Sequence, residues 1–348
     1  MNSMQRVLTT LSHKEPDRVP LFLPATLHGA KEMGLSIEEY FSQAEYVVEG
    51  QMRLLKKYRS DCLCPSFYAA IELEAWGGDV IYQMDCPPNA GPRIIQCPED
   101  IDTLQAPRVA DAPRLTHVLD VIRQLKTRVG DTVPIIGVVM SPFSLPVMQM
   151  GFDSYIELIY EQPERLMRLM QANEMFCVEW ANAQLAAGAT AIGYADPVSS
   201  CTIIPRELYL KTGQQVAKRT LARINGPTAT HLASGRSLPI MDDIAATSTV
   251  GLGVSALEDL AELKAAAQGK LTLFGNLNGV EMRHWTARQA ETAVKCAIAK
   301  AGRGGGFILS DNHGEIPWQV PDEVLLAISD AVERWGCYPL DWIDSFPI

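Results

Sequence analysis

The chain has 348 residues, 47% of them hydrophobic and 20% charged. That is enough apolar material for a sizeable core, and it excludes disordered, fibrous and disulfide-scaffold classes. Its 30 Lys and Arg against 41 Asp and Glu give a formal net charge of −11, the wrong sign for a nucleic-acid or anionic-membrane binder, although a small anionic ligand stays allowed.

No apolar run reaches the roughly 18 residues of a spanning helix. The opening stretch Met1–Pro20 has no apolar core of a signal peptide. Eight cysteines lie scattered without a Cys-x-x-Cys pair, which reads as reduced thiols. The expectation is a soluble, cytoplasmic enzyme.

Along the chain, apolar runs of strand length alternate with helical patterns. The strand candidates are Arg18–Pro24, Asp61–Ser66, Val133–Met140, Ala189–Ala195, Pro227–Leu232, Thr249–Val254, Leu271–Gly275 and Gly305–Leu309. Most are continuously apolar, as expected of strands covered on both faces. Helical spacing occupies Ile37–Tyr58, where Ser36 and Glu39 form a capping-box pair. It returns in Pro163–Ala187, which Gly188 is placed to end, and Pro205 can open the next helix. Leu257–Ala267, Thr286–Ala301 and Pro321–Trp335 continue the alternation.

Eight strands with helices between them predict an α/β fold, a (β/α)8 TIM barrel over residues 1–348 as one domain. Gly78–Cys97 breaks the rhythm and reads as a β-hairpin inserted after the second strand, followed by a loop at Pro98–Pro113. Gly304-Gly305-Gly306 precedes a strand, so it reads as a tight turn and not as a phosphate cradle.

In such a barrel, chemistry gathers at the C-terminal ends of the strands. The residues there are Asp196, Ser199 and Ser200, then His231, then Ser255, then Asn276 and Asn278, and finally Asp311, Asn312, His313 and Glu315. Each has a structural reading. Asp196 before Pro197 can open an Asx turn, the asparagines can form turns, and a lone His231 can be a satisfied core histidine. Their conjunction at one mouth is what points to a site. Glu72 and Glu74 share a face if their segment is extended and diverge if it is helical. No Walker loop, His-Glu-x-x-His or Gly-x-Ser-x-Gly motif is present.

These residues give the chain a resemblance to the uroporphyrinogen decarboxylase superfamily, and within it to corrinoid-dependent methyltransferases of the methylcobalamin:coenzyme M type. The resemblance rests on Glu15-Pro16-Asp17-Arg18-Val19-Pro20, Glu72-Leu73-Glu74-Ala75-Trp76-Gly77, Ala195-Asp196-Pro197, His231, Gly275-Asn276-Leu277 and Asp311–Pro317. It too implies a (β/α)8 barrel. The decarboxylase carries arginines soon after its first strand, whereas Pro24–Ala30 here holds none. The thiol-methylating branch holds zinc with a His-x-Cys pair and a later cysteine. Here His231 is kept, Ala233 stands at the first cysteine, and the second falls on Asn312 or His313.

Without thiolate ligands, a methyl acceptor that needs no zinc is expected. The N5 nitrogen of tetrahydrofolate carries its own lone pair. The resemblance therefore implies methyl transfer from methylcobalamin, borne by a partner corrinoid protein, to tetrahydrofolate. In that reading Asp196, Asn276, Asn278, Ser199 and Glu74 contact the pterin, while Asp311, Asn312, His313 and His231 manage the N5 proton. A homodimer is allowed. The alternatives are a zinc-dependent thiol methyltransferase with substituted ligands from His231, His313 and a carboxylate, a uroporphyrinogen decarboxylase, and a corrinoid-protein binder without chemistry.

Overall fold

The computed structural model of the protein describes residues 1–65 and 68–346; Ser66, the end of the second predicted strand, lies outside them. The strands among the described residues are β1 (Leu21–Phe22), β2 (Val80–Ile81), β3 (Asn89–Ala90), β4 (Ile136–Met140), β5 (Ala191–Ala195), β6 (Thr228–His231), β7 (Gly251–Gly253), β8 (Thr272–Leu277) and β9 (Phe307–Asp311). Seven of them make one parallel sheet in the order β1-β9-β8-β7-β6-β5-β4.

The second predicted strand fills the gap between β1 and β4. Asp61 N–H donates to the Leu21 carbonyl at 2.6 Å, and Leu63 makes a parallel bridge to Ile135. Pro65 follows at once and cannot donate to a ladder. The barrel thus closes as a (β/α)8 barrel with one stave reduced to a single bridge. The inserted hairpin is present but pairs only Val80 with Ala90 and Ile81 with Asn89.

Local signals set most helix ends. The helix Pro163–Ala187 starts on its proline and stops where Gly188 takes φ 120°. Thr286 caps Ala287–Ala301 with Gln289 in a reciprocal box, and Asp259 caps Leu260–Ala267. The Ile37–Tyr58 pattern splits in two, into Ile37–Tyr40 with the Ser36–Glu39 box and Ala44–Tyr58. Helices Ser3–Leu11, Pro113–Val129 and Phe152–Glu161 were not foreseen. All three glycines of Gly304–Gly306 have positive φ, and a Cβ on Gly305 would lie 2.3 Å from the Lys14 carbonyl oxygen. That turn requires glycine.

The helix Ser3–Leu11 closes the bottom of the barrel. Its Val7 and Leu11 pack with Phe22, Cys62, Ile136, Phe274 and Ile308, inward residues of the staves. Beside this plug, fully buried Asp61 accepts from Arg6 Nη1 at 2.6 Å, Arg18 Nη1 at 2.7 Å, Ser3 Oγ at 2.9 Å and Leu21 N–H at 2.8 Å. Arg6 also pairs with Asp17 at 2.7 Å. The Asp17-Arg18 dipeptide of the opening motif is therefore part of the clamp on the one-bridge seam.

Candidate active site

Parallel registry runs Ala195, His231, Gly253, Phe274 and Ile308 across β5, β6, β7, β8 and β9 as one inward row. Gly193, Ala229 and Gly251 form the row beneath. Small residues on three adjacent staves leave the upper interior open: a Cβ on Gly193 would meet nothing nearer than 3.6 Å. Ala195, Ala229, His231, Phe274 and Asn276 all retain some solvent access from within.

The His231 ring stacks on Phe274 with centroids 5.7 Å apart and planes 29° apart. Gly253 makes room for both, since a Cβ there would sit 2.3 Å from His231 Cδ2 and 2.7 Å from Phe274 Cε2. Gly253→Ala is accordingly expected to cost about 1–3 kcal/mol of stability by overpacking. The same change should displace the imidazole, visible as a shifted His231 ring resonance in the NMR spectrum. An unmoved resonance in an equally stable variant would contradict this packing.

His231 Nδ1 accepts the Ala233 backbone N–H at 3.0 Å. A ring nitrogen that accepts leaves the proton of the neutral ring on Nε2. Burial, with His313 nearby, pushes its pKa down to about 4, so the ring is a neutral Nε2–H donor at ordinary pH. Ala233 and Ser234 both adopt left-handed φ, 45° and 69°, which turns the loop back over the ring.

From that loop a hydrogen-bonded chain crosses the mouth. Ser234 Oγ meets His313 Nδ1. Ser255 Oγ donates to the Ser234 carbonyl at 2.7 Å, and Asn276 Nδ2 donates to the Ser255 carbonyl at 3.0 Å. Asn276 is thereby oriented through its amide nitrogen, and no described residue hydrogen-bonds its Oδ1.

Asp311 is buried at the end of β9 and accepts the N–H groups of His313 at 2.8 Å and Gly314 at 3.2 Å. Burial outweighs those two bonds and raises its pKa to about 6. Asn312 Oδ1 takes the Gly279 N–H at 3.4 Å. Glu315, which sequence reasoning placed at the mouth without assigning it a role, accepts the hydroxyl of Thr26 from the loop after β1. Burial, and then the neighbouring Asp311, lift its pKa to about 7.

The remaining sequence candidates are placed differently. Asp196 is buried, accepting Ser141 Oγ at 2.5 Å and Ser144 Oγ at 2.8 Å, and burial raises its pKa. Ser199 lies in the wall against the helix Gly213–Leu221, where a Cβ on Gly213 would come within 2.4 Å of its Oγ. Asn278 Oδ1 accepts Val280 and Glu281 N–H, both at 3.2 Å, the Asx turn of the bland reading. Glu72 and Glu74 lie on the helix Ile71–Ala75 and diverge. Glu74 accepts Tyr68 Oη at 2.5 Å and faces Arg114 at 3.6 Å, while Glu72 is buried and accepts Met140 N–H at 2.8 Å.

Among the described residues, no group of three His, Cys, Asp or Glu is placed to hold a metal ion. Nor, among these residues, does a cation stand against Glu72, Asp196, Asp311 or Glu315. The mouth is a set of hydrogen-bonding groups with an uncompensated acidic side, suited to a ligand that presents donors and can give up a proton.

The family model for uroporphyrinogen decarboxylase (URO-D) matches residues 2–335. The uroporphyrinogen decarboxylase of Idiomarina loihiensis is 25% identical over 252 residues, 68% of this chain and 67% of that protein. The methylcobamide:CoM methyltransferase MtaA of Methanosarcina barkeri is 26% identical over 183 residues, 52% of this chain and 54% of that protein. Among solved structures, a methyltransferase from Methanosarcina mazei superposes with TM-score 0.87 at 19% identity, covering 96% of this chain and 99% of that one. No helix is long and apolar enough to cross a membrane among the described residues.

Proposed function

We propose, from the premise that this chain belongs to the uroporphyrinogen decarboxylase (URO-D) family, that it moves a methyl group from a methylated corrinoid protein to N5 of tetrahydrofolate. The similarity to a methylcobamide:CoM methyltransferase supports the corrinoid donor. The arginine-free segment Pro24–Ala30 weighs against a porphyrinogen carrying many carboxylates.

The observation that carries the choice of acceptor is the Ala233–His231 contact. Ala233 replaces the thiolate of the thiol-methylating branch, and its N–H occupies His231 Nδ1. A zinc-binding imidazole normally donates its second N–H to an oxygen acceptor. Here the ring receives a bond at that atom, and His313 Nδ1 is engaged by Ser234. This donor set does not fit zinc, so no step is routed through it.

An amine acceptor needs orientation and the removal of one proton. Asn276 offers its free Oδ1 to the donor edge of the pterin, with His231 Nε2–H beside it and Phe274 beneath. Asp196 supports the rim through Ser141 and Ser144; Asn278, Ser199 and Glu74 shape the surrounding wall. Asp311, Asn312 and His313 form the side on which the proton leaves. The open interior lets the partner's corrinoid approach from above, with residues 1–348 acting as one domain in the cytoplasm.

The test is anaerobic spectroscopy of methylcobalamin with tetrahydrofolate. Expected are cob(I)alamin and methyltetrahydrofolate only when the protein is present. Asn276→Ala should raise the KM for tetrahydrofolate about tenfold, the equivalent of roughly 1.4 kcal/mol of lost hydrogen bonding. Methylation of a thiol instead, with about one zinc per chain after dialysis, would overturn the folate reading.

A further inference from the structure

We infer that Glu315 is the base that takes the N5 proton during methyl transfer, and that Thr26 positions it; this rests on the folate reading above. Glu315 sits on the loop after β9 and Thr26 on the loop after β1, so both belong to the C-terminal mouth of the barrel. One carboxylate oxygen is tied to the Thr26 hydroxyl. Among the described residues no other group hydrogen-bonds this carboxylate, and Glu315 is only partly buried.

The surroundings suit a base of intermediate strength. Among the described residues, the charged group facing Glu315 is Asp311, from the adjoining strand, and no lysine or arginine acts on either carboxylate. Two uncompensated carboxylates in a desolvated site resist double ionisation, so the pair holds one proton more readily than an exposed pair would. The Thr26 hydroxyl opposes that effect at Glu315 by favouring the ionised form. Asp311 differs in being bound to two backbone N–H groups. That arrangement fixes Asp311 and leaves Glu315 as the carboxylate free to accept.

The step balances as follows. The N5 lone pair forms the new N–C bond while the C–Co bond breaks, its electron pair staying on cobalt, which passes from Co(III) to Co(I). N5 then bears four bonds and a positive charge, and its proton transfers to the free oxygen of Glu315. Exchange with solvent at the mouth returns the carboxylate.

Steady-state kinetics of the full-length protein against pH, with methylcobalamin and tetrahydrofolate, tests this. In the native protein kcat should fall on the acid side with a midpoint near 7, where Glu315 becomes protonated. Glu315→Gln should lower kcat about 100-fold, leave KM for tetrahydrofolate within about threefold, and abolish that acid limb. Thr26→Val, which keeps the carboxylate, should move the limb to higher pH and recover its rate there. If Glu315→Gln keeps its kcat and limb, or raises KM alone, the assignment is overturned while the folate reading stands. If the native protein methylates no folate at any pH, the folate reading itself fails and the base with it.

Discussion

Asp61→Ala should destabilise the protein by about 3–5 kcal/mol, the usual cost of removing one partner from a buried ion pair. The alanine leaves the mostly buried guanidinium groups of Arg6 and Arg18 without the carboxylate they share. It also deprives the Leu21 N–H and Ser3 Oγ of their acceptor. The site lies beside the stave that holds the sheet together by one bridge, so strand pairing cannot make up the loss. Denaturant unfolding measures the effect. Asp17→Ala is the control: that carboxylate is 38% exposed, and its loss should cost about 1 kcal/mol or less. Equal losses in the two variants would show that Asp61 is not the centre of the clamp.

Glu72 governs the second large effect, on the pH dependence of stability. It is wholly buried, and burial raises its pKa to about 8 despite the opposing hydrogen bonds from Met140 N–H and the Trp180 side chain. The folded state therefore holds a proton that the unfolded chain releases near the ordinary value of 4.5. A raised folded pKa contributes stability that is fully present below the unfolded value and is lost as pH rises through the folded one. Across pH 4.5 to 8 this group alone should weaken the fold by on the order of 4 kcal/mol. Glu72→Gln keeps the acceptor for Met140 and cannot ionise. Its melting temperature should change less than that of the native protein between pH 5 and pH 8. Parallel melting curves for the two proteins would mean that Glu72 does not carry the extra proton.

The barrel was legible in the sequence because its staves are apolar on both faces. Val133–Met140 and Ala189–Ala195 contain β4 and β5 and end on their final residues. β8 and β9 each run two residues beyond the predicted ends, because Asn276 and Asp311 are polar residues that still keep ladder registry at the mouth. The helix Ser3–Leu11 carries its own sequence signal: Asn2 and Gln5 form a capping box, and Met4, Val7, Leu8 and Leu11 recur at helical spacing. The split of Ile37–Tyr58 follows from where its two apolar faces must turn.

The polar residues of the mouth were legible in placement, less so in what each one binds. His231, Asn276 and Asp311 stand together, as the strand ends predicted. Asn278 is engaged by its own turn, and Asp196 by two serines from the loop after β4. Glu315 could not be distinguished by its residue type. What sets it apart from Asp311 is its single tie to the Thr26 hydroxyl, where Asp311 accepts two backbone N–H groups, a property of three-dimensional neighbours. Glu72 and Glu74 were separable only by knowing that their segment is helical.

Phe274 belongs to two neighbourhoods at once. It packs against the cluster of Val7, Cys62 and Ile308, and its ring stacks with that of His231. The N-terminal helix is therefore a foundation for the imidazole some distance above it. Enlarging or trimming Val7 would tilt a rigid aromatic shim and change the height at which Nε2–H meets its ligand, with no residue of the mouth altered. Activity in this barrel should thus respond to changes at its underside, where no ligand ever reaches.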